Sequence, residues 1–222
     1  MIRQHEARQV LVEDAHTQID SKRLIRYFAG ITRVEYLDHP LKFSLPSLRP
    51  PVLNGPLLWI GRRCNIGPVR EWWNHCRVSG ELWVLTDNVA PDLASESLGF
   101  RNPSRVRVCA WSPEMHLQWT SLCLAAIDVK ADDFRSRHKP PAKAFDFVSS
   151  GVPVISNYGS SVDLHLQHYG IRPLDIMNWN IQLTQQYQTG LHNCATTMRH
   201  ELTPANIWRR FSELLNGPGN SC

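Results

Sequence analysis

Residues 139–155 read Lys139-Pro140-Pro141-Ala142-Lys143-Ala144-Phe145-Asp146-Phe147-Val148-Ser149-Ser150-Gly151-Val152-Pro153-Val154-Ile155. Proline is harmless at the first position of a helix, because the N–H it lacks would be unpaired there. Pro140-Pro141 therefore announce a helix over 141–150, which Gly151 ends. Val152 to Ser156 is an apolar, β-branched run that returns to a sheet. Lys139 and Lys143 flank the helix N-terminus, where the helix dipole ordinarily disfavours cations. Their placement makes sense if an anion sits between them and the free amides. Lys143 and Asp146 are three apart and share a helix face, an arrangement that a solvated ion pair would satisfy equally well.

The same alternation extends on either side. Strands are expected at 9–13, 34–37, 56–60, 81–86, 105–109, 126–129 and 152–156. Helices are expected at 20–29, 66–76, 115–126, 141–150, 162–168, 176–188 and 204–215. Strands that alternate with helices imply parallel crossovers, so the expected fold is a doubly wound, Rossmann-like α/β sheet with helices on both faces. Ligands of such sheets bind at the carboxyl ends of the strands. Those ends fall at Gly61-Arg62-Arg63, Asp87-Asn88, Ala110-Trp111, Lys130-Ala131 and Asn157. Between residues 38 and 56 lie Pro40, Pro46, Pro50, Pro51 and Pro56. Proline at that density blocks helix and removes ladder donors, which marks an extended connector and the expected domain boundary.

Composition excludes several classes. A net charge of +4 without any lysine or arginine block argues against nucleic-acid binding, yet leaves room for a small anionic ligand. Cys64, Cys76, Cys109, Cys123, Cys194 and Cys222 form no C-x-x-C pair, which speaks against a zinc site or a disulfide framework. His165 and His168 are three apart with no third ligand in view, so no metal is assigned. The polar start from Met1 to Gln9 is unlike a signal peptide, and no apolar run approaches membrane-spanning length. A soluble, cytoplasmic protein with reduced thiols is the expectation. Trp72, Trp73 and Trp208 are read as packing residues.

The stretch 141–155 resembles the P-x-K-x-x-E-Y-x-A-x-G-x-P-V-I signature of group 1 glycosyltransferases of GT-B fold. Trp119 to Asp128 resembles the family's helix ending in "aDi", and Leu58 to Arg62 (LWIGR) its first C-terminal-domain strand and "G-R" turn. Asp38-His39-Pro40 is similar to the "H-P" of the interdomain crossing. The ordered matches cover about residues 57–157. The resemblance implies the nucleotide-sugar-binding, C-terminal half of a GT-B architecture at 57–216. Residues 1–56 would be a remnant of the acceptor-type domain plus the proline-rich hinge, and 217–222 a frayed tail.

By the same resemblance, Arg62 and Lys143 are the catalytic cations facing the leaving diphosphate. Gly61, Arg63, Lys139, Asp146 and Gly151 are donor-binding, with Asp146 on the acid that holds ribose hydroxyls. Such enzymes are retaining and metal-independent and need no cofactor beyond the nucleoside diphosphate sugar that is their donor substrate. Here the acid is Asp where the family has Glu, and His138 stands where the first acid of the usual pair would be. No "K-G" follows the Gly61 turn. The implied function is sugar transfer to an unspecified acceptor. The alternative is a non-catalytic nucleotide-sugar-binding domain of a split glycosyltransferase, working with an acceptor-domain partner chain or as a homo-oligomer.

Overall fold

The computed structural model describes residues 9–12, 33–76, 79–87, 95–131, 133 and 139–216. The helix expected at 20–29, the tail 217–222 and His138 lie outside the described residues. Near the start, β1 (Gln9–Val12) and β2 (Arg33–Tyr36) pair in parallel.

The main sheet has six strands: β3 (Leu57–Gly61), β4 (Leu82–Thr86), β5 (Val106–Ala110), β6 (Ala125–Ile127), β7 (Val154–Ser156) and β8 (Leu174–Asp175). Their order is β5-β4-β3-β6-β7-β8, and every pairing is parallel. Strand order runs outward from β3 in one direction and then from β6 in the other, so the reversal lies between them.

Alternation along the strands feeds two cores. Leu58 and Ile60 point to one face, where they meet α2 (Pro113–Leu122), α3 (Ala142–Ser149), α4 (Ser161–His168), α6 (Gln185–Glu201) and α7 (Pro204–Asn216). Leu57 and Trp59 point to the other face, against Val69 and Trp73 of α1 (Gly67–His75) and Trp179 of α5 (Trp179–Gln182). A central parallel strand is covered on both faces, which is why Leu57 to Ile60 is apolar without interruption. The expected doubly wound sheet is thus the observed one.

Two elements differ from expectation. β8 is only two residues long and too short to leave a periodic signal. The single helix expected at 176–188 is two, because Thr184 caps a new one: its hydroxyl accepts the Tyr187 amide at 3.2 Å, and α6 runs to Glu201. Trp208 is not a packing residue; it stays 67% exposed beside Phe211.

The proline-rich segment is extended, but it is bound to the domain throughout. The Leu41 amide donates to the Leu202 carbonyl, and the Arg49 amide to that of Ser150. Arg199 clamps it from α6, donating through Nη1 to Leu45 O at 2.7 Å and through Nη2 to Pro46 O.

Candidate functional site

A cavity of about 380 Å³ opens where the strand order reverses. Its wall combines Trp59, Cys64 and Asn65 from the end of β3 with Asp128, Val129, Lys130 and Ala131 after β6, and with Lys139 and Lys143 at the entry of α3. This is the place where doubly wound sheets bind ligands, because the crossovers on either side diverge and leave a crevice. A larger cavity of about 580 Å³ lies elsewhere, between Trp72, Cys76 and Trp179, but among the described residues no lysine or arginine lines it. The smaller one holds the convergent charges and is the better candidate.

Local bonding fixes this wall. Ser156 Oγ donates to Asp128 O at 2.8 Å. Asn157 Oδ1 accepts the Lys130 amide at 2.9 Å, while its Nδ2 donates to Lys130 O at 3.3 Å. The end of β7 therefore holds the turn after β6. Ser161 Oγ donates to Lys139 O at 2.7 Å and ties the approach to α3 onto α4. On the other side, the Arg63 amide donates to Asp87 Oδ1 at 2.7 Å, which pins the turn after β3 to the end of β4. That bond comes first among the influences holding the Asp87 carboxyl below its ordinary range.

Lys143 is the central cation. Its Nζ donates to Ile60 O at 2.5 Å and lies 5.8 Å from the centre of the Trp59 ring. An ammonium has three donors, so the bond to Ile60 leaves donors for a ligand. Burial lowers its pKa to about 8; Asp128 opposes that shift, whereas Lys130 and Lys139 add to it. Asp128 shows the complementary effect. Burial works against its charge, but Lys130, Lys143 and Lys139 prevail and hold its carboxyl below the usual range. Its Oδ1 accepts from Lys130 Nζ at 2.9 Å.

The residues singled out from the sequence fall into three groups. Lys139 and Lys143 stand together in the cavity wall. Gly61 adjoins it for a steric reason: a Cβ there would stand 2.6 Å from the Trp59 ring, so glycine lets the indole form the wall. Arg62 and Arg63 are exposed on the rim, toward Asp87, and are not part of the lining. Asp146 and Gly151 face the connector instead. Asp146 is buried, and its Oδ1 accepts the Lys42 amide at 2.7 Å, with the Phe43 amide a further donor to the carboxylate. Gly151 has φ of +76°, and a Cβ on it would lie 3.0 Å from Arg49 O.

Asp128, Trp59 and Asn65 also line the cavity, and local sequence does not mark them as site residues. Lys130 and Asn157 stand at expected strand ends, which is the signal that the sequence offers for them. Asp128 falls inside the strand expected at 126–129. In the structure it follows β6, because the strand is only Ala125–Ile127. Among the described residues no three His, Cys, Asp or Glu side chains are grouped so as to hold a metal ion, and no helix is long and apolar enough to cross a membrane.

This six-stranded parallel sheet with helices on both faces is the fold of a GT-B glycosyltransferase C-terminal-like domain. Among solved structures the chain is similar to a glycosyltransferase from Rickettsia africae ESF-5, with a TM-score of 0.62 and 10% identity over 94% of this chain and 63% of that one. It is also similar to AviGT4, a glycosyltransferase involved in avilamycin A biosynthesis, with a TM-score of 0.58 and 13% identity over 85% of this chain and 59% of that one. A third is T4 phage BGT in complex with its UDP-glucose substrate, with a TM-score of 0.51 and 10% identity over 94% and 64%. The chain thus spans about three-fifths of the length of these structures. No protein-family model matches the sequence, and no curated protein does. At these identities the likeness establishes the fold.

Proposed function

We propose that the switch-point cavity holds the diphosphate of a nucleotide sugar and that the chain supplies the donor-binding part of a glycosyltransferase. The observation that carries this reading is the convergence of Lys130, Lys139 and Lys143 on one crevice at the carboxyl edge of β3 and β6. Among the described residues of the wall three ammonium groups face two carboxylates, Asp128 and Asp133, a net positive balance. When the bond between the sugar's anomeric carbon and the diphosphate oxygen breaks, the electron pair stays on the diphosphate. Fixed cations around that oxygen stabilise the developing charge without having to reorganise. Lys143, held by Ile60 O and Trp59, is the residue best placed to do so, with Lys139 beside it. Arg62 and Arg63 would reach the ligand from the rim. The resemblance supports a retaining, metal-independent reaction.

A second reading is donor binding without turnover in the isolated chain. Its support is Asp146, whose carboxylate is occupied by connector amides and would have to leave them to take ribose hydroxyls. Under this reading transfer needs a second wall, from a further part of the polypeptide, a partner chain or another copy, because the reaction cleft of a two-domain transferase closes around the substrates.

Calorimetric titration with UDP, uridine, GDP and guanosine tests the phosphate assignment. One diphosphate is expected to bind at least tenfold more tightly than its nucleoside. Equal affinities within both pairs would overturn it.

A further inference from the structure

We propose that Asp128 reads a hydroxyl of a sugar ring attached to the bound diphosphate, an inference that rests on the function proposed above. Asp128 is the first residue after β6, only 5% exposed, and lines the switch-point cavity. Its two oxygens are used unequally. Oδ1 accepts from Lys130 Nζ at 2.9 Å, whereas Oδ2 is buried and takes no hydrogen bond from any described residue. A buried polar atom without a partner costs free energy, so such atoms are rare unless a ligand or water completes them.

The chemistry of the missing partner follows from that of the carboxylate. An ionised carboxylate only accepts, so whatever meets Oδ2 has to donate. A fully ionised diphosphate carries no donor and would be repelled by it. Sugar hydroxyls donate, and both the ribose and the transferred sugar are joined to the diphosphate that Lys139 and Lys143 would hold. Lys130 matters here as well. By holding Oδ1 it fixes the carboxylate's rotation, and Ser156 and Asn157 fix the backbone on which both residues stand. The acceptor is therefore set in place before a ligand arrives, which suits it to select among sugars by the position of a hydroxyl. A site built to bond a hydroxyl discriminates strongly against ligands that lack it, because its own buried group is then left unpaired.

The experiment compares the wild-type chain with Asp128→Asn by calorimetry against inorganic pyrophosphate, UDP and UDP-glucose, with GDP and GDP-mannose run in parallel. In the variant, the amide oxygen can keep the contact to Lys130 while Nδ2 presents a donor where Oδ2 accepted. Pyrophosphate is expected to bind as well as before or better, since one negative charge has gone from the wall. UDP-glucose or GDP-mannose is expected to bind roughly ten- to a hundredfold more weakly, the range for losing a hydrogen bond to a charged group. If the loss appears only with the nucleotide sugar, the hydroxyl belongs to the transferred sugar; if it appears equally with UDP or GDP, it belongs to the ribose.

A uniform change across all ligands would overturn the assignment and leave Asp128 as a counter-ion of the lysines. Failure of the wild-type chain to bind any of the five would instead overturn the diphosphate site itself. Should Asp128→Asn not fold, Asp128→Glu keeps the charge but moves the acceptor. It is expected to change the ratio of nucleotide-sugar or nucleotide affinity to pyrophosphate affinity, and an unchanged ratio would refute the proposal.

Discussion

Replacing Lys143 by methionine removes an ammonium from the cavity wall while keeping a side chain of similar length, and the two consequences have opposite signs. Folding depresses the pKa of Lys143 from 10.5 to about 8, chiefly through burial. That difference corresponds to roughly 3 kcal/mol of unfavourable charge burial at neutral pH. The ammonium keeps some solvent contact through the cavity, which reduces this figure, and the variant also loses the bond to Ile60 O, worth about 1 kcal/mol. The net expectation is a chain more stable by about 1–2 kcal/mol at pH 7, or a melting temperature higher by roughly 2–8 °C for a domain of this size.

The sign can be followed with pH. Between pH 8 and 10.5 the unfolded chain binds the proton that the folded chain has given up, so wild-type stability rises across that window and the advantage of the variant disappears. Binding moves the other way. The variant is expected to bind UDP or GDP about ten- to a hundredfold more weakly, and wild-type affinity to fall as pH rises through about 8 while the variant's stays level. Thermal melts at pH 7 and 10, with calorimetry at pH 7 and 9, supply all four quantities. A Lys143→Met chain that melts lower at pH 7 and binds the diphosphate as before would refute the reasoning, because Lys143 would then be a structural residue.

Three further outcomes follow from the same geometry. His116 is 2% exposed, accepts from Trp111 Nε1 at 3.3 Å through Nδ1, and has its pKa lowered to about 4, first by burial and then by Lys143. The unfolded chain therefore binds the extra proton between pH 6.5 and 4, and about 3 kcal/mol of stability is lost on acidification through that window; a His116→Phe chain with the same acid profile as the wild type would contradict this. Asp146→Ala removes the acceptor of the Lys42 amide and is expected to cost about 1–3 kcal/mol in urea unfolding, whereas an unchanged midpoint with weakened nucleotide binding would return Asp146 to the ribose role. Gly151→Ala forces a side chain into left-handed backbone against Arg49 O and should cost about 1–2 kcal/mol, readable as a lower melting temperature with diphosphate affinity intact.

The alternation of apolar runs with helical stretches, the Pro140-Pro141 entry and the Gly151 stop were enough to set out a parallel, doubly wound sheet, because these signals depend on backbone sterics and on a burial pattern repeated along each strand. Local sequence also brought Lys139 and Lys143 to one helix entrance. It could not say that β3 and β6 are neighbours, since that pairing joins residues nearly seventy positions apart; only the sheet order places Asp128 and Lys130 opposite Lys143. Nor could it orient Asp146. A residue three positions from Lys143 shares its helix face in spacing alone, but the connector lies against α3 and its amides claim that carboxylate, leaving the ammonium to the cavity. Long-range packing decided which of two neighbouring charges faces the cavity and which is spent on holding the chain together.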